Sequence, residues 1–222
     1  MIRILIADDH PVVRLGLKLI LEKEPDISVN SQARNAREAL DLVDGTEIDV
    51  VLLDISLPDR NGLDVLHQLR IEHPDIKVLV ISMHSEDLYA MRVLKEGAFG
   101  YMTKDSAPEE LVKAVRKVVS GGKYVSSSLG EKLVYGLTSE IESTPDHSLS
   151  NREFQVMCMI ASGKTIKEIS KVLYLSGKTV STYRSRILKK MNLKNNAELI
   201  SYTIRNNLLQ VLIPGICMSI LI

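Results

Sequence analysis

Three carboxylate side chains follow two predicted β-strands and are the residues best placed to do chemistry. Asp54 ends the apolar run at residues 50–53, and Asp8 and Asp9 follow the apolar run at residues 3–7. Such runs are typical of strands covered on both faces of a parallel sheet, where ligands bind beyond the carboxyl ends. A single Asp there would more simply start a turn or cap a helix. Because neighbouring parallel strands end at one edge, we expect the three carboxylates to converge.

This acidic cluster has the composition of a site for a metal ion and a phosphoryl group. Three carboxylates repel one another unless a cation neutralises them, and an all-oxygen set without His or Cys favours Mg²⁺. Ser82 ends the fourth predicted strand and Lys104 follows the fifth, which adds a hydroxyl donor and a cation at the same edge. Such groups stabilise a phosphoryl group during transfer. Asp54 then has the position of a carboxylate nucleophile.

Alternating strand and helix patterns position these residues in one α/β domain. Strands are predicted at residues 3–7, 27–33, 50–53, 77–82 and 99–102, each followed by a helical pattern. Pro11 opens the first helix, Asn35 caps the second, and a capping box of Ser106 and Glu109 opens the fifth. The helix residues predicted to face the core are Val12, Val13, Leu15, Leu19 and Ile20 in the first helix and Leu111, Val112, Val115, Val118 and Val119 in the fifth. The pattern predicts a doubly wound, five-stranded parallel sheet of the flavodoxin-like type.

The charges of the chain are unevenly distributed, although its formal net charge is zero. Residues 1–125 carry 16 basic and 21 acidic side chains, whereas residues 148–222 carry 11 basic and 3 acidic ones. An acidic first part joined to a basic second part indicates that the second part meets an anionic polymer. Two Cys residues are too few for a disulfide framework or a zinc site, and the N-terminal run is a strand instead of a signal peptide. We therefore expect a cytoplasmic protein without a membrane partner.

The basic part contains the pattern of a smaller, all-α helix-turn-helix domain. Ser150 with Glu153 and Thr165 with Glu168 form capping boxes for two short helices, and Ser176 caps a third helix after a tight turn. The second of these helices is predicted to turn Ile169, Val172 and Leu173 inward. The outer face of the third helix is basic and rich in hydroxyl groups and is predicted to enter the major groove of DNA; its residues are Lys178, Ser181, Thr182, Ser185, Arg186 and Lys189. The alternative is a solvated basic face on a small bundle.

Residues 1–122 resemble the receiver domain of bacterial two-component response regulators. The resemblance rests on Asp8-Asp9, residues 51–62 with Asp54 and Pro58, Ser82, residues 97–101 and Lys104, in the same order and at the same spacings. It implies that Asp54 accepts a phosphoryl group from the phosphohistidine of a histidine kinase. The other implied roles are Mg²⁺ binding by Asp8, Asp9, Asp54 and the backbone carbonyl of Ser56, phosphoryl contact by Ser82 and Lys104, and an aromatic switch at Tyr101.

Tyrosine and histidine residues near this site have alternative interpretations. Tyr101 is equally well explained as a core or edge tyrosine. His84 follows Ser82 by two residues, and in receivers this position and Ser56 flank the path of the water that hydrolyses the phosphoryl group. The remaining histidines of the first domain are predicted to be surface or helix-end residues; they are His10, His67 and His73.

Particular residues argue against two other classes of doubly wound protein as interpretations of this sequence. A flavodoxin would need a phosphate loop rich in hydroxyl groups and glycine after the first strand, where this chain has Asp8-Asp9-His10-Pro11. A phosphatase of the haloacid dehalogenase type would need an Asp two positions after Asp54, where this chain has Ser56. The doubly wound sheet is therefore not, by itself, a guide to function.

Residues 148–209 resemble the LuxR-type DNA-binding domain of response regulators of the NarL/FixJ class. The resemblance rests on residues 149–153, 161–163, 167–169, 178–180 and 187–191. This sequence departs from the family at Tyr183, at Thr165-Ile166 and at Ser181, where His, Ser-Asn and Lys are more usual. These departures affect the base sequence that is read. Lys189 and Lys190 are expected to meet DNA phosphates.

The sequence therefore predicts a transcriptional regulator and not a turnover enzyme. The predicted parts are a receiver domain at 1–122, a linker with a short helix at 123–147, a DNA-binding domain at 148–210 and an apolar tail of unknown role at 211–222. Phosphorylation of Asp54 by a histidine kinase is expected to switch homodimer formation and binding to double-stranded DNA. The alternative is a phosphorylation-independent DNA-binding module whose receiver serves as a dimerisation or ligand platform.

Overall fold

A five-stranded parallel sheet forms the first part of the computed structural model, which describes residues 1–84, 86–131, 145–206 and 208. Its strands are β1 (Ile2–Ala7), β2 (Ile27–Ala33), β3 (Val50–Leu53), β4 (Lys77–Ser82) and β5 (Gly100–Thr103). They lie in the order β2-β1-β3-β4-β5, and every neighbouring pair is parallel. The helices between and after them are α1 (Pro11–Leu21), α2 (Ala36–Gly45), α3 (Gly62–Glu72), α4 (Glu86–Lys95) and α5 (Pro108–Val119). The predicted fold class is confirmed.

The core of this domain lies on both faces of the sheet. All four residues of β3 are buried, with Val51 and Leu53 in one apolar cluster and Val50 and Leu52 in the other. Successive residues of a strand point to opposite faces, so a strand with apolar layers on both sides needs an unbroken apolar run. This accounts for the lack of alternation before Asp54.

The predicted core face of α1 is wrong at three positions. Val12, Leu15 and Leu19, three of the five residues predicted to be inward, are 82%, 56% and 58% exposed. Ile20 packs on the sheet as predicted, together with Leu17 and Leu21, which were not predicted. The helix is apolar on two sides, and a period of 3.6 residues does not decide between two apolar faces. Packing against α5 and the sheet makes that choice.

The predicted capping box of α5 is also wrong. Ala107 is the N-cap and makes no side-chain hydrogen bond, and Pro108 occupies the first turn, where its missing N–H is not needed. The hydroxyl of Ser106 lies 3.2 Å from the Thr103 hydroxyl instead. Val119, predicted to be inward, is 37% exposed at the last position of the helix.

The sheet register brings the functional side chains to one edge. Ala7 in β1 pairs with Leu53 in β3, and the N–H of Asp54 donates to the carbonyl of Ala7 over 2.8 Å. The N–H of Lys104 donates to the carbonyl of Ser82 over 2.9 Å, so the end of β5 is fixed to the end of β4. The carboxyl ends of four adjacent strands therefore form a single rim.

Gly62, the first residue of α3, packs against the backbone that carries Asp54. A Cβ here would lie 2.2 Å from the Asp54 carbonyl oxygen and 2.7 Å from the Ile55 Cα. Gly62→Ala is therefore expected to lower the free energy of unfolding by about 1–3 kcal/mol, because backbone atoms must shift. Gly16→Ala is the matched control: its Cβ meets nothing within 4 Å, and a gain of about 0.5–1 kcal/mol is expected inside α1. Chemical denaturation measures both, and equal midpoints would contradict the close approach.

Four helices form the second part of the described chain. They are α6 (Asn151–Ala161), α7 (Ile166–Val172), α8 (Gly177–Lys190) and α9 (Asn196–Arg205), after a 3₁₀ turn at Pro145–Ser148. The capping boxes predicted at Ser150 and Thr165 are both present, and Ser176 accepts a hydrogen bond from the N–H of Thr179. Val172, predicted to be inward, is 50% exposed, because Leu173 takes the core position at the end of α7. Within the described ranges, no helix combines the length and apolar character that crossing a membrane requires.

Parts of the predicted linker and the whole predicted tail lie outside the described residues. Residues 127–131 are helical, at the start of the predicted linker helix, and residues 132–144 and 211–222 are not described. Nothing in the fold therefore bears on the apolar tail.

Candidate functional site

Asp8, Asp54 and Lys104 form a buried ion-paired group at the rim of the sheet. The Lys104 Nζ lies 2.6 Å from the Asp8 Oδ2 and 2.6 Å from the Asp54 Oδ2. The three side chains are only 3–4% exposed. Asp9 follows Asp8 and is partly exposed, and one ligand atom from each of Asp8, Asp9, His10 and Asp54 lies within 4.8 Å of the others. The structure thus brings the three predicted carboxylates together and adds a histidine.

Burial and the neighbouring charges shift the pKa values of Asp54 and Lys104. Burial raises the pKa of Asp54, and the nearby Asp8 adds to this, while the Lys104 ammonium opposes it. Burial by itself lowers the pKa of Lys104, but the carboxylates of Asp54 and Asp8 outweigh it, so the Lys104 pKa is raised. Lys104 is therefore a cation at neutral pH. The Asp54 carboxylate is poorly solvated, so a further positive charge would stabilise its ionised form.

Residues at this rim fit a divalent cation. Among the described residues, the buried Oδ1 of Asp9 forms no hydrogen bond, although such atoms are nearly always paired. Carboxylate oxygens are the ligands that Mg²⁺ prefers, and Lys104 neutralises only one of the three negative charges. The unsatisfied oxygen and the excess of negative charge both favour a bound cation.

Ser82 and Tyr101 meet the loop that connects β4 to α4. The Ser82 hydroxyl is buried and accepts a hydrogen bond from the His84 N–H over 3.2 Å. The Tyr101 hydroxyl donates to the His84 carbonyl over 2.7 Å, and burial raises the pKa of this hydroxyl well above its usual value. On the other side, the Ser56 hydroxyl lies 3.4 Å from the His84 Nε2, and the Ser56 N–H donates to the Asp54 Oδ1 over 3.1 Å. His84 therefore contacts three residues of the site, which are Ser56, Ser82 and Tyr101.

The same loop leads to a contact between the two domains. The His84 and Tyr89 rings lie 4.7 Å apart, and the Tyr89 ring meets the Phe154 ring of α6 edge to face at 5.4 Å. The Arg92 guanidinium stacks over the Phe154 ring at 4.0 Å. Burial raises the pKa of the neighbouring Cys158 thiol to about 12. Side chains of α4 thus contact side chains of α6.

Hydrogen bonds reinforce this interdomain contact. Arg92 donates to the backbone carbonyls of Asp146 and, over 3.1 Å, of Leu149. The Asn61 amide donates to the Gln155 side chain over 3.2 Å, and that pair is buried. Sequence reasoning missed these residues, because an Arg on an amphipathic helix has the same pattern whether it faces solvent or another domain.

The predicted DNA face of α8 is exposed to solvent at all six positions: Lys178, Ser181, Thr182, Ser185, Arg186 and Lys189. The hydroxyls of Ser181, Thr182 and Ser185 donate to backbone carbonyls four residues earlier, so their oxygens remain free to accept. Lys190, expected to meet phosphate, instead binds the Glu153 carboxylate at 2.6 Å and the Ser148 carbonyl at 3.2 Å. Its role in the described chain is to hold α8 to the start of α6.

Comparison with known proteins identifies both parts of the chain. Residues 4–116 match the response regulator receiver domain, and residues 147–203 match the bacterial regulatory proteins of the luxR family. The chain belongs to the response regulators that combine a receiver domain with a LuxR-type DNA-binding domain. The prediction that the protein is a transcriptional regulator of a two-component system is therefore confirmed.

Individual relatives are similar over nearly the whole chain. The response regulator UvrY of Escherichia coli strain K12 is 37% identical over 209 residues, which cover 94% of this chain and 96% of UvrY. The response regulator GacA of Pseudomonas aeruginosa is also 37% identical, over 94% of this chain and 98% of GacA. A structure of RcsB from Salmonella enterica serovar Typhimurium, bound to promoter rprA with the phosphomimetic BeF3−, matches with a TM-score of 0.64 and 25% identity, over 91% and 98% of the two chains.

Proposed function

We propose that Asp54 is the phosphoacceptor of a two-component switch that controls DNA binding by α8. The buried Asp54 carboxylate beside Asp8 and Asp9, bonded to Lys104, is the observation that supports this most strongly. In the step, an Asp54 oxygen bonds to phosphorus while the bond from phosphorus to the kinase's phosphohistidine nitrogen breaks. The chain then undergoes at most slow self-dephosphorylation and is not a turnover enzyme.

Asp8, Asp9, Asp54 and the backbone carbonyl of Ser56 are the proposed ligands of Mg²⁺. When bound, the cation neutralises charge on the transferring phosphoryl group. Lys104 is placed to pair with a phosphoryl oxygen, since its Nζ already lies 2.6 Å from the Asp54 Oδ2. The Ser82 hydroxyl is placed to donate to another oxygen. Ser56 and His84, 3.4 Å apart, are placed to tune the lifetime of the phosphorylated state.

The β4–α4 loop is the proposed link between the phosphoryl group and the second domain. When the Ser82 hydroxyl turns to the phosphoryl group, its hydrogen bond from the His84 N–H is lost. His84 can then shift, and the Tyr101 hydroxyl, which donates to the His84 carbonyl, is free to move. The His84 and Tyr89 rings transmit this change to Phe154. We infer that phosphorylation loosens α4 from α6, with Tyr101 as the switch.

The contact between α4 and α6 leaves the DNA face of α8 exposed, so inhibition cannot arise from covering that face. The contact instead fixes the orientation of one DNA-binding domain relative to its receiver. Two half-sites on DNA demand a symmetric pair of such domains. We propose that release from α6 lets a phosphorylated homodimer, acting in the cytoplasm, place both domains on double-stranded DNA.

The proposed domain limits agree with this division of roles. They are the receiver at 1–122, the linker at 123–147, the DNA-binding domain at 148–210 and the tail at 211–222. Asn61 and Arg92 lie before the proposed linker, Leu149 and Gln155 lie after it, and Asp146 lies at its end. Each domain therefore keeps its own site, and the contact joins them.

Incubation of the full chain with acetyl phosphate and MgCl₂ tests the proposed function. Intact mass spectrometry is expected to show the addition of one phosphoryl group, and light scattering a shift from monomer to dimer. Affinity for an operator selected from random DNA should rise in parallel. Operator binding without any mass gain would instead favour the phosphorylation-independent module.

Arg92→Ala is expected to raise the DNA affinity of the unphosphorylated chain roughly fivefold or more, the usual size of an allosteric coupling. The substitution removes the cation over Phe154, the hydrogen bond to the Leu149 carbonyl of the second domain and the hydrogen bond to the Asp146 carbonyl at the end of the proposed linker. Lys95→Ala removes a cation from the exposed end of the same helix and is the matched control. Fluorescence anisotropy with labelled operator measures the change. Equal affinities for Arg92→Ala and Lys95→Ala would show that the interdomain contact does not restrain DNA binding.

Lys104→Ala is expected to leave Asp54 reactive but to remove the rise in DNA affinity on phosphorylation. The cation joins the phosphoryl group to the end of β5, next to Tyr101. Lys117→Ala removes an exposed cation from α5 and should behave as the unmodified protein does. Mass spectrometry gives the phosphorylated fraction, and anisotropy gives the affinity of the same sample. A normal rise in Lys104→Ala would refute the coupling role of Lys104.

A further inference from the structure

The side chain of Asn61, at the end of the loop that follows Asp54, is fixed in one orientation. Its Oδ1 accepts a hydrogen bond from the Leu63 N–H over 2.8 Å and so caps α3. The amide nitrogen therefore points the other way, and it donates to the Gln155 Oε1 of α6 over 3.2 Å. Asn61 and Gln155 are 1% and 9% exposed, so this bond between the domains lies away from solvent, where hydrogen bonds are strong.

The same oxygen of Gln155 has a second donor within α6. Arg152 lies one turn earlier and donates from its Nη1 to the Gln155 Oε1 over 2.7 Å. A carbonyl oxygen has two lone pairs, so it can accept from both side chains at once, and the two donors fix the orientation of the Gln155 amide. Gln155 is therefore held by Asn61, and it in turn holds one end of Arg152.

The other end of Arg152 reaches the turn of the helix-turn-helix. Its Nη2 donates over 2.9 Å to the carbonyl of Leu173, the C-cap of α7, and so supplies a partner to a carbonyl at a helix end. The next residue, Tyr174, has a φ of 52°, which is unfavourable for a residue with a Cβ and persists only where the surroundings hold it. Ser176, the N-cap of α8, follows two residues later. Arg152 thus anchors the turn that sets the direction of α8.

The loop that ends at Asn61 is tied to Asp54 at its other end. The Ser56 N–H donates to the Asp54 Oδ1 over 3.1 Å, and the Gly62 N–H donates to the Ile55 carbonyl over 2.8 Å. A phosphoryl group on Asp54 would replace the carboxylate that the Ser56 N–H contacts. This loop is therefore the first part of the backbone to meet that change, and its last residue contacts the second domain.

We propose that Asn61, Gln155 and Arg152 form a relay by which the loop after Asp54 sets the shape of the turn before α8, with Arg152 as the positioning residue for α8. The trigger of the relay rests on the proposed function, whereas its hydrogen bonds do not. The relay differs from the contact of Arg92 with Phe154, because it bypasses α4 and ends at the start of α8. In the unphosphorylated chain, Asn61 holds the relay in one arrangement, and movement of the loop releases it.

Asn61→Ser tests the relay in the unphosphorylated full chain. Serine keeps a good N-cap for α3 but is too short to reach Gln155. The amide NMR resonances of Tyr174 and Leu175 are expected to shift in this variant, although they belong to the other domain. Asn35→Ser is the matched control, because Asn35 caps α2 within the receiver domain in the same way, and it should leave these resonances unchanged.

Gln155→Met breaks the same link from the other side, in case Asn61→Ser disturbs α3. It keeps a side chain of similar length but removes the shared acceptor, so the same two turn resonances should shift. The unfolding transition of each variant shows whether it is folded.

The role of Arg152 is tested by Arg152→Lys, which keeps the charge but loses the planar fork that holds two acceptors at once. Operator affinity of the unphosphorylated chain should fall in Arg152→Lys and rise in Asn61→Ser. Each change should be roughly two- to thirtyfold, the range for residues that modulate the coupling between sites. Arg205→Lys, which replaces an exposed arginine of α9, should leave the affinity unchanged.

Unchanged turn resonances in both Asn61→Ser and Gln155→Met would overturn the relay. Equal shifts in Asn35→Ser and Asn61→Ser would show a general loosening of the receiver and would overturn it as well. Affinity changes of the same sign in Asn61→Ser and Arg152→Lys would overturn the positioning role of Arg152.

Treatment of the unmodified chain with acetyl phosphate and MgCl₂ tests the trigger separately. A mass gain accompanied by shifts of the Tyr174 and Leu175 resonances is the expected result. A mass gain without these shifts would overturn the relay as a carrier of the signal. Absence of any mass gain would contradict the proposed function, and the comparison of Asn61→Ser with Asn35→Ser would still decide whether the relay exists.

Discussion

Asp54→Asn is expected to abolish phosphorylation of the full chain by acetyl phosphate. The amide lacks the carboxylate oxygen that is proposed to attack phosphorus, and the substitution also removes one of the three negative charges of the proposed cation site. The fold should persist, because Lys104 keeps Asp8 as a partner at 2.6 Å and so no charge is left alone in the core. The expected effect is therefore a complete loss of mass gain with a normal unfolding transition.

Asp105→Asn is the matched control for this prediction. Asp105 is exposed and directly follows Lys104, so its replacement removes a carboxylate close to the site in sequence but outside the rim. This variant should gain one phosphoryl group at the rate of the unmodified chain. Peptide mapping of the phosphorylated control should place the group on Asp54. Full mass gain in Asp54→Asn, or mapping to Asp8 or Asp9, would require a different phosphoacceptor.

The convergence of the carboxylates could be predicted because it depends on the sheet alone. Parallel neighbouring strands end at one edge, so Asp8 and Asp54 need only the positions of two strand ends to be brought together. The helix caps at Asn35, Ser150 and Thr165 were predictable because each depends on residues only three positions apart. Signals of this kind lie within a few residues of sequence, although the one at Ser106 and Glu109 failed because Ala107 is the N-cap there.

Features that depend on packing between distant elements could not be predicted. The orientation of α1 is fixed by which of its two apolar sides meets the sheet, and the sequence of the helix is compatible with either choice. The contact of Arg92 with Phe154 joins helices of different domains. His10 is next to Asp9 in sequence, yet the direction of its ring depends on the turn between β1 and α1. In each case, the outcome depends on tertiary contacts or loop conformation that the local sequence pattern does not specify.

Replacing single residues on the exposed face of α8 is expected to separate phosphate binding from base readout. Lys189 is a flexible point charge suited to a phosphate, whereas Arg186 is a planar donor suited to the two acceptors of a guanine edge. The hydroxyls of Ser181, Thr182 and Ser185 keep their acceptor oxygens free. They are suited to base edges or to a thymine methyl group. All of these side chains are exposed, so alanine variants should fold normally.

Lys189→Ala should weaken binding to all DNA sequences by a similar factor. It should also lower the slope of log affinity against log salt concentration by about 0.9, the value for one lost phosphate contact. Lys23→Ala, which removes an exposed cation from the receiver domain, should leave both quantities unchanged. Anisotropy titrations at several salt concentrations, with the operator and with random DNA, measure the affinity and the slope together.

Arg186→Ala and Ser181→Ala should instead cost roughly 1–3 kcal/mol at particular base pairs, with little change on random DNA. Because the Ser181 hydroxyl oxygen, which is available as an acceptor, and the guanidinium of Arg186 lie on one exposed face, their preferred base pairs should be close together in each half-site. A single domain offers only a small interface, so an isolated half-site should bind poorly and a symmetric pair should bind tightly. Competition between operators with single base changes identifies the base pair that each residue reads. Equal losses on operator and random DNA for Ser181, Thr182, Ser185 and Arg186 variants would mean that α8 supplies only charge, and the readout would then have to come from another element.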